Sequence, residues 1–150
     1  MSMFSAFNIS ASGLTAQRYR MDIISENVAN ANTTRTEDGT PYVRKVVTFA
    51  EKTQGHRLFS KVFKEAKDAY SGSGVKVSGV HYDRDTDMKM VYDPSHPDAD
   101  ENGYVTYPNV NIVTEMTNMI DASRAYEANA TAFNASKSMA LQGLQLNNNG

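Results

Sequence analysis

Cysteine is absent from this 150-residue chain, and so is tryptophan. The first absence excludes disulfides and thiolate metal sites and leaves the compartment undecided. An excess of charge of one sign is missing too. Fifteen basic against seventeen acidic residues leave a net charge of −2, which gives no footing for a nucleic-acid partner, whose surface needs a basic patch. No stretch reaches the ~20 apolar residues of a membrane-crossing helix. The opening segment has no basic region and no apolar run longer than two residues, so neither a direct transmembrane segment nor a cleaved leader is expected. G-x-S-x-G, P-loop, dinucleotide and H-E-x-x-H patterns are all absent. The expectation is therefore a chain without catalytic residues, metal or cofactor, and not an enzyme.

Charge itself is scarce at both ends. "MSMFSAFNISASGLTAQ" contains none, residues 1–34 carry only Arg18, Arg20, Asp22 and Glu26, and residues 110–150 only Glu115, Asp121, Arg124, Glu127 and Lys137. The intervening 75 residues hold the other twenty-three charges. Both ends also repeat at seven. Phe7, Leu14, Met21 and Val28 recur, with Ile24 between, and Ile112, Met119, Tyr126, Phe133 and Ala140 recur in the second segment. Met116, Ser123, Ala130, Lys137 and Leu144 follow four residues behind each of these, with Ser123 and Lys137 ill-suited to a core. A 4/3 split of seven is a coiled-coil seam; two amphipathic helices over an ordinary core is the alternative.

The boundaries agree with helices. Pro108, then Asn109 or Asn111 as cap, with Glu115 favouring the dipole, starts a helix running to about Gly143, roughly 50 Å long. The first helix is expected to end in "NVANANTT", where Asn tolerates the left-handed cap. Gly13 within it costs about 1 kcal/mol relative to Ala. Ala122, Ala125, Ala128, Ala130, Ala132, Ala135 and Ala140 surround most of the second helix. Helix propensity explains alanine, but an exposed helix would also carry Glu and Lys. Small uncharged faces on several sides suit a helix packed by neighbours, meaning other copies or other subunits.

The middle differs. "PYVRKVVTFAE", "GVKVSGVHYD", "DMKMVYD" and "GYVTYP", separated by turn-rich "EDGTP", "SGSG" and "DPSHPDADENG", predict about four antiparallel strands. Phe59, Val62, Phe63, Ala66 and Tyr70 have helical spacing, giving a short insertion near 57–70 read as a solvated surface helix. The fold class is thus α+β: a discontinuous helical domain of residues 1–34 and 109–146, and a small β-rich domain over 35–108. In the acidic loop, Asp98, Asp100, Asn102 and Gly103 match the first positions of an EF-hand loop, but position 12 is Asn109 and Pro97 spoils the entering helix. An acidic β-turn explains the same residues.

"SGLTAQRYRMDIISENVANANTT" and "YDPSHPDADENGYVTYPNVNIVTEMTNMIDASRAYEANATAFNASKSM" resemble the terminal motifs of the axial proteins of the bacterial flagellum, and within them those of the proximal rod of the basal body. The resemblance covers about half of the chain, at both ends. It implies a structural subunit without enzymatic activity, assembling helically into a drive shaft and export channel for motility. Its implied partners are other rod proteins, proximal and distal, rod-base and MS-ring components, and the flagellar type III export apparatus. The implied place is the rod spanning the periplasm, reached by export from the cytoplasm without a cleaved signal. It further implies that Phe7, Leu14, Met21, Ile24 and Val28 meet Ile112, Met116, Met119, Tyr126 and Phe133 in an intrachain seam. Asn27, Asn30, Asn118, Ala128, Asn129, Ala132 and Asn134 would contact neighbouring subunits. The competing readings are a soluble cytoplasmic coiled-coil adaptor or export chaperone, and a metal-dependent binding module or enzyme built on the acidic middle.

Overall fold

The computed structural model describes residues 3–52 and 72–148. Helix α1 spans Met3–Ala29 and α2 spans Ile112–Asn148. Between them lie β1 (Lys45–Glu51), β2 (Val75–Tyr82), β3 (Lys89–Tyr92) and β4 (Tyr104–Tyr107). The chain is therefore α+β, with two long terminal helices. The insertion predicted near 57–70 falls outside the described residues.

All four strands form where Val, Tyr and Thr cluster, but they make two separate two-stranded sheets, β1–β2 and β3–β4. Lys52 N donates to Gly74 O and Asp83 N to Arg44 O, an antiparallel sequence of partners for the first sheet. In the second, Lys89 faces Tyr107, Met90 faces Thr106, Val91 faces Val105 and Tyr92 faces Tyr104. Alternation along the strands sends Val91 and Val105 to one face, and Val105 is completely buried. Tyr92 and Tyr104 take the other face, edge to face with centroids 5.2 Å apart and both exposed. Gly103, at φ +81°, makes the turn into β4; a side chain there would also run into the Tyr92 ring.

The helix ends are built by asparagines. Asn111 caps α2: its Oδ1 accepts from Val113 N (3.0 Å) and Thr114 N (3.2 Å). Asn109, the other candidate cap, serves elsewhere. The helix then continues five residues past Gly143, so this glycine marks no stop. At the end of α1 the expected left-handed Asn is not used, since no described non-glycine residue has positive φ. Instead Asn30 N and Nδ2 both donate to Glu26 O, and Ala31 N donates to Val28 O, tightening the last turn.

Polar side chains on such sparsely charged helices find partners close by. Thr15, Thr117, Thr131 and Ser136 each donate a hydroxyl to the carbonyl four residues earlier, on Ala11, Val113, Glu127 and Ala132.

The described residues group into two compact units, each drawing on both helices. One takes 3–18, 49–52, 72–78 and 123–148; the other takes Tyr19–Thr48 and Gly79–Ala122. In the first unit α1 and α2 run antiparallel. Phe7 meets Phe133 edge-on at 5.1 Å, and Gly13 meets Asn129. Ser12 Oγ accepts from Val75 N at 3.0 Å and donates to Ile9 O at 2.7 Å, tying β2 to α1. Gly74 passes Ser12 at φ +91°, and a Cβ there would lie 2.3 Å from Ser12 Oγ.

Gly13 is a notch. A Cβ at this position would sit 2.5 Å from Asn129 Oδ1 and 2.8 Å from its Cγ, dislodging the amide from Ala125 O, to which it donates at 2.8 Å. Elsewhere in a helix Gly→Ala gains about 1 kcal/mol. Here Gly13→Ala should gain less than that, because the Asn129 amide must swing away from Ala125 O, and it should raise the melting temperature more in an Asn129→Ala background, the difference read from a double-mutant cycle followed by circular dichroism.

In the second unit the helices also run antiparallel. Arg20 donates to Asn118 Oδ1 (3.4 Å), and Asn27 to Glu115 Oε2 (3.0 Å). Buried here are Ile24, Ala31, Tyr42, Val105 and Ala122, together with polar Asn27, Asn109 and Glu115.

Candidate polar clamp and assembly surface

The second unit holds a network of charged and amide groups gathered from four segments. Glu115, in the first turn of α2, is 1% exposed. A buried carboxylate needs a cation and hydrogen bonds, since losing hydration costs several kcal/mol. Arg44, just before β1, supplies both: Nη2 lies 2.7 Å and Nε 3.0 Å from Glu115 Oε1. Its remaining nitrogen, Nη1, reaches Asp83 Oδ2 at 3.1 Å. Burial alone would lower the Arg44 guanidinium; the bond and charge of Glu115, then those of Asp83, outweigh burial and hold it above its ordinary value. Burial likewise works against the Asp83 carboxylate, but Thr86 N–H and hydroxyl bonds, then Arg44, hold Asp83 below its usual value.

Asn27 fills the centre. Its Nδ2 donates to Lys45 O (2.8 Å) and Glu115 Oε2 (3.0 Å), and its Oδ1 accepts from Tyr42 OH (2.9 Å) and Lys45 N (2.9 Å). An amide has two donors and two acceptor lone pairs, so all its capacity is used. Asn109 makes three such bonds: Oδ1 accepts from Arg44 N, and Nδ2 donates to Asp83 O and Thr86 O. Lys45 Nζ pairs with Glu26 Oε1. That bond, set against partial burial, raises the Lys45 ammonium.

Tyr42 is covered by the same groups, and its phenol is pushed up to about 12, first by burial and then by Glu26. The sign follows directly. The folded chain prefers the neutral phenol, so this contribution is complete below pH 10 and is lost as pH rises toward 12. Melting temperature should fall across that window in the native chain and fall less steeply in Tyr42→Phe, the difference isolating Tyr42 from other alkaline titrations.

The residues predicted to form the seam are placed unevenly. Ile24 is buried; Phe7, Leu14, Met21, Val28, Met119 and Phe133 are half-buried; Tyr126 is at the edge of exposure. Ile112 and Met116, 43% and 58% exposed, stand outside. The reason is phase. The inward α2 positions are Glu115, Ala122 and Asn129, three residues behind Ile112, Met119 and Tyr126 rather than four. Ser123 and Lys137 are thereby relieved of core duty. On α1, Gly13, Arg20 and Asn27 occupy the matching period-seven line.

Among residues expected to face neighbouring subunits, Asn27 is corrected: at 1% exposure and fully bonded within the chain, it has no surface to offer. Asn118 and Asn129 lie on the α1-facing side, where they meet Arg20 and Gly13, and Asn30 spends its amide on the α1 cap. Ala128, Ala132 and Asn134 are exposed. So are Ile112, Val113, Met116 and Ile120 near the start of α2, and Met139, Leu141 and Leu144 near its end.

The acidic loop is a set of turns. Asp100 Oδ1 accepts from Asn102 N and Tyr104 N. Asp98 Oδ2 accepts from Thr34 Oγ1 and its other oxygen faces Arg35 at 3.7 Å. Asn109, the would-be twelfth ligand, is buried with Arg44 and Asp83. Among the described residues no three His, Asp or Glu groups gather as a metal site.

Comparison with known proteins agrees with these terminal helices. A family profile for "Flagella basal body rod protein" matches residues 7–35, and one for "Flagellar basal body rod FlgEFG protein C-terminal" matches residues 101–146. The flagellar basal-body rod protein FlgC of Borreliella burgdorferi is 47% identical over 93% of both chains. That of Bacillus subtilis is 43% identical over 97% of this chain and 99% of its own. That of Salmonella typhimurium is 38% identical over 97% and 98%. Nothing in these relationships favours a free-standing adaptor. Near-full-length likeness at this level means that the chain belongs to the FlgC family of flagellar basal-body rod proteins and is a structural rod subunit of the flagellum.

Proposed function

We propose that the chain is a non-enzymatic subunit of the proximal rod, assembling helically with other rod proteins around an export channel and transmitting rotation. It is exported without a cleaved signal through the flagellar type III apparatus. Its neighbours are proximal and distal rod proteins, and at the base the MS-ring and rod-base components, within the periplasm. Residues 1–34 and 109–146 form the packed helical layer, with residues 35–108 outside it.

The observation that carries this reading is the exposed face of α2. Ile112, Val113, Met116 and Ile120 are each 43–73% exposed, and Met139, Leu141 and Leu144 51–63%. Large apolar side chains exposed in groups of this kind mark an interface. Between those groups Ala128, Ala132 and Asn134 stand exposed on a stretch with few charges. Ala128→Glu and Ala132→Glu should leave the purified chain soluble and helical, because a carboxylate at an exposed position meets water. In the assembly the same carboxylate is buried without a partner, so rod formation should stop. Restoration of swimming is the readout, in cells lacking the native subunit, and normal motility in both variants overturns the packing role.

A further inference from the structure

Asn27, Glu115 and Arg44 do something that the apolar contacts around them cannot. In the second unit Ile24 and Ala122 are the fully buried apolar members of the helix pairing, and Met21, Ile23, Val28 and Met119 are only half-buried. Large apolar residues recur at seven on both helices, Phe7, Leu14, Met21 and Val28 on α1 and Met119, Tyr126 and Phe133 on α2, so sliding one helix along the other by a heptad brings apolar positions back to apolar positions along that line. In this unit Ala122 is too small, and the half-buried side chains too loosely held, to forbid it.

The polar groups do forbid it. A slip in one direction brings Ala122 to the place of Glu115, leaving the Asn27 amide, 1% exposed and bonded on every side, facing a methyl group. A slip in the other direction carries Glu115 about 10 Å along the axis, away from an Arg44 that cannot follow. Arg44 is held from outside the helix pair, because its N–H donates to Asn109 Oδ1 and its Nη1 to Asp83 Oδ2.

We propose that the Asn27–Glu115–Arg44 cluster is a register lock, which selects one alignment of α1 and α2 against β1 and does so at a cost in stability. Buried polar groups are best attested in this role where a heptad pattern leaves alignment open. The lock follows from contacts within one chain and is independent of the assembly reading, so its test uses the full chain alone.

The chain has no cysteine, so paired nitroxide labels can be placed without background. Ser25 on α1 and Thr117 on α2 are exposed and outside the cluster. S25C/T117C with the cluster intact should give one distance population by pulsed electron resonance. The same pair in N27L/R44M/E115L should give a second population from the slipped helices, with helix content kept and a melting temperature no lower. One population at the native distance in that variant overturns the proposal, and so do two populations with the cluster intact. If the triple variant loses its helix signal, E115M and E115Q decide. E115M should show the second population and E115Q, which keeps the shape and an oxygen for Arg44 but loses the acceptor for Asn27 Nδ2, should show less of it; a single population in E115M overturns the lock.

Discussion

Arg44→Ala should be among the most damaging single substitutions in the chain, lowering unfolding free energy by about 3–5 kcal/mol. The reason lies less in the arginine than in what it leaves behind. Glu115 is 1% exposed, and two of the bonds to its Oε1, at 2.7 and 3.0 Å, come from Arg44. Without them the carboxylate keeps the Asn27 amide and a long contact from Asn118 at 3.4 Å, but no cation. Asp83 loses its guanidinium partner at 3.1 Å in the same step. Arg44→Lys should fall between, since one ammonium cannot span Glu115 and Asp83 as the planar fork does. Arg44→Ala combined with Glu115→Leu should be more stable than Arg44→Ala alone, because the second change removes the stranded charge. Urea unfolding of the four chains checks the order, and an Arg44→Ala loss below about 1 kcal/mol would mean that water reaches Glu115 after all.

The cluster explains why reading the sequence reached the elements but not their contacts. Strands were legible because Val, Tyr and Thr run together between Gly-, Pro- and Asp-rich turns, a purely local signal. Their division into two sheets depends on partners far apart in the chain. The helices were legible from period seven, but their facing sides were not. A search for a seam weighs large apolar residues, which selected Ile112 and Met116 together with Met119. The helix instead buries Glu115 and Ala122, and leaves Met116 58% exposed. Glu115 read as a dipole partner and Asn27 as a surface amide because the residue that makes both buriable, Arg44, sits in the charged middle. The available signal was the coincidence of Gly13, Arg20 and Asn27 at seven with Glu115, Ala122 and Asn129 at seven. Each is a poor core residue alone, and a notch or bond partner once paired.

Asn27→Asp tests the cluster by electrostatics with almost no change in shape. The substitution replaces Nδ2, which donates to Lys45 O at 2.8 Å and Glu115 Oε2 at 3.0 Å, with an oxygen. Two hydrogen bonds become two repulsive contacts, one of them between carboxylates, in a place with no room for water to intervene. A loss of about 3 kcal/mol or more at pH 7 is expected, exceeding that of Asn27→Ala, which leaves the same groups unpaired but adds no charge. The pH dependence separates this from simple misfolding. The introduced carboxyl, facing Glu115, is held protonated above the ordinary carboxylate range, so the folded state binds a proton that the unfolded chain gives up. Its stability should therefore recover as pH falls from 7 toward 5. The native chain should gain nothing comparable there, because Asp83 is held below its usual value, despite its burial, by Thr86 and then Arg44. Thermal melts of both chains at several pH values supply the comparison, and parallel curves would place the defect of Asn27→Asp in packing instead of charge.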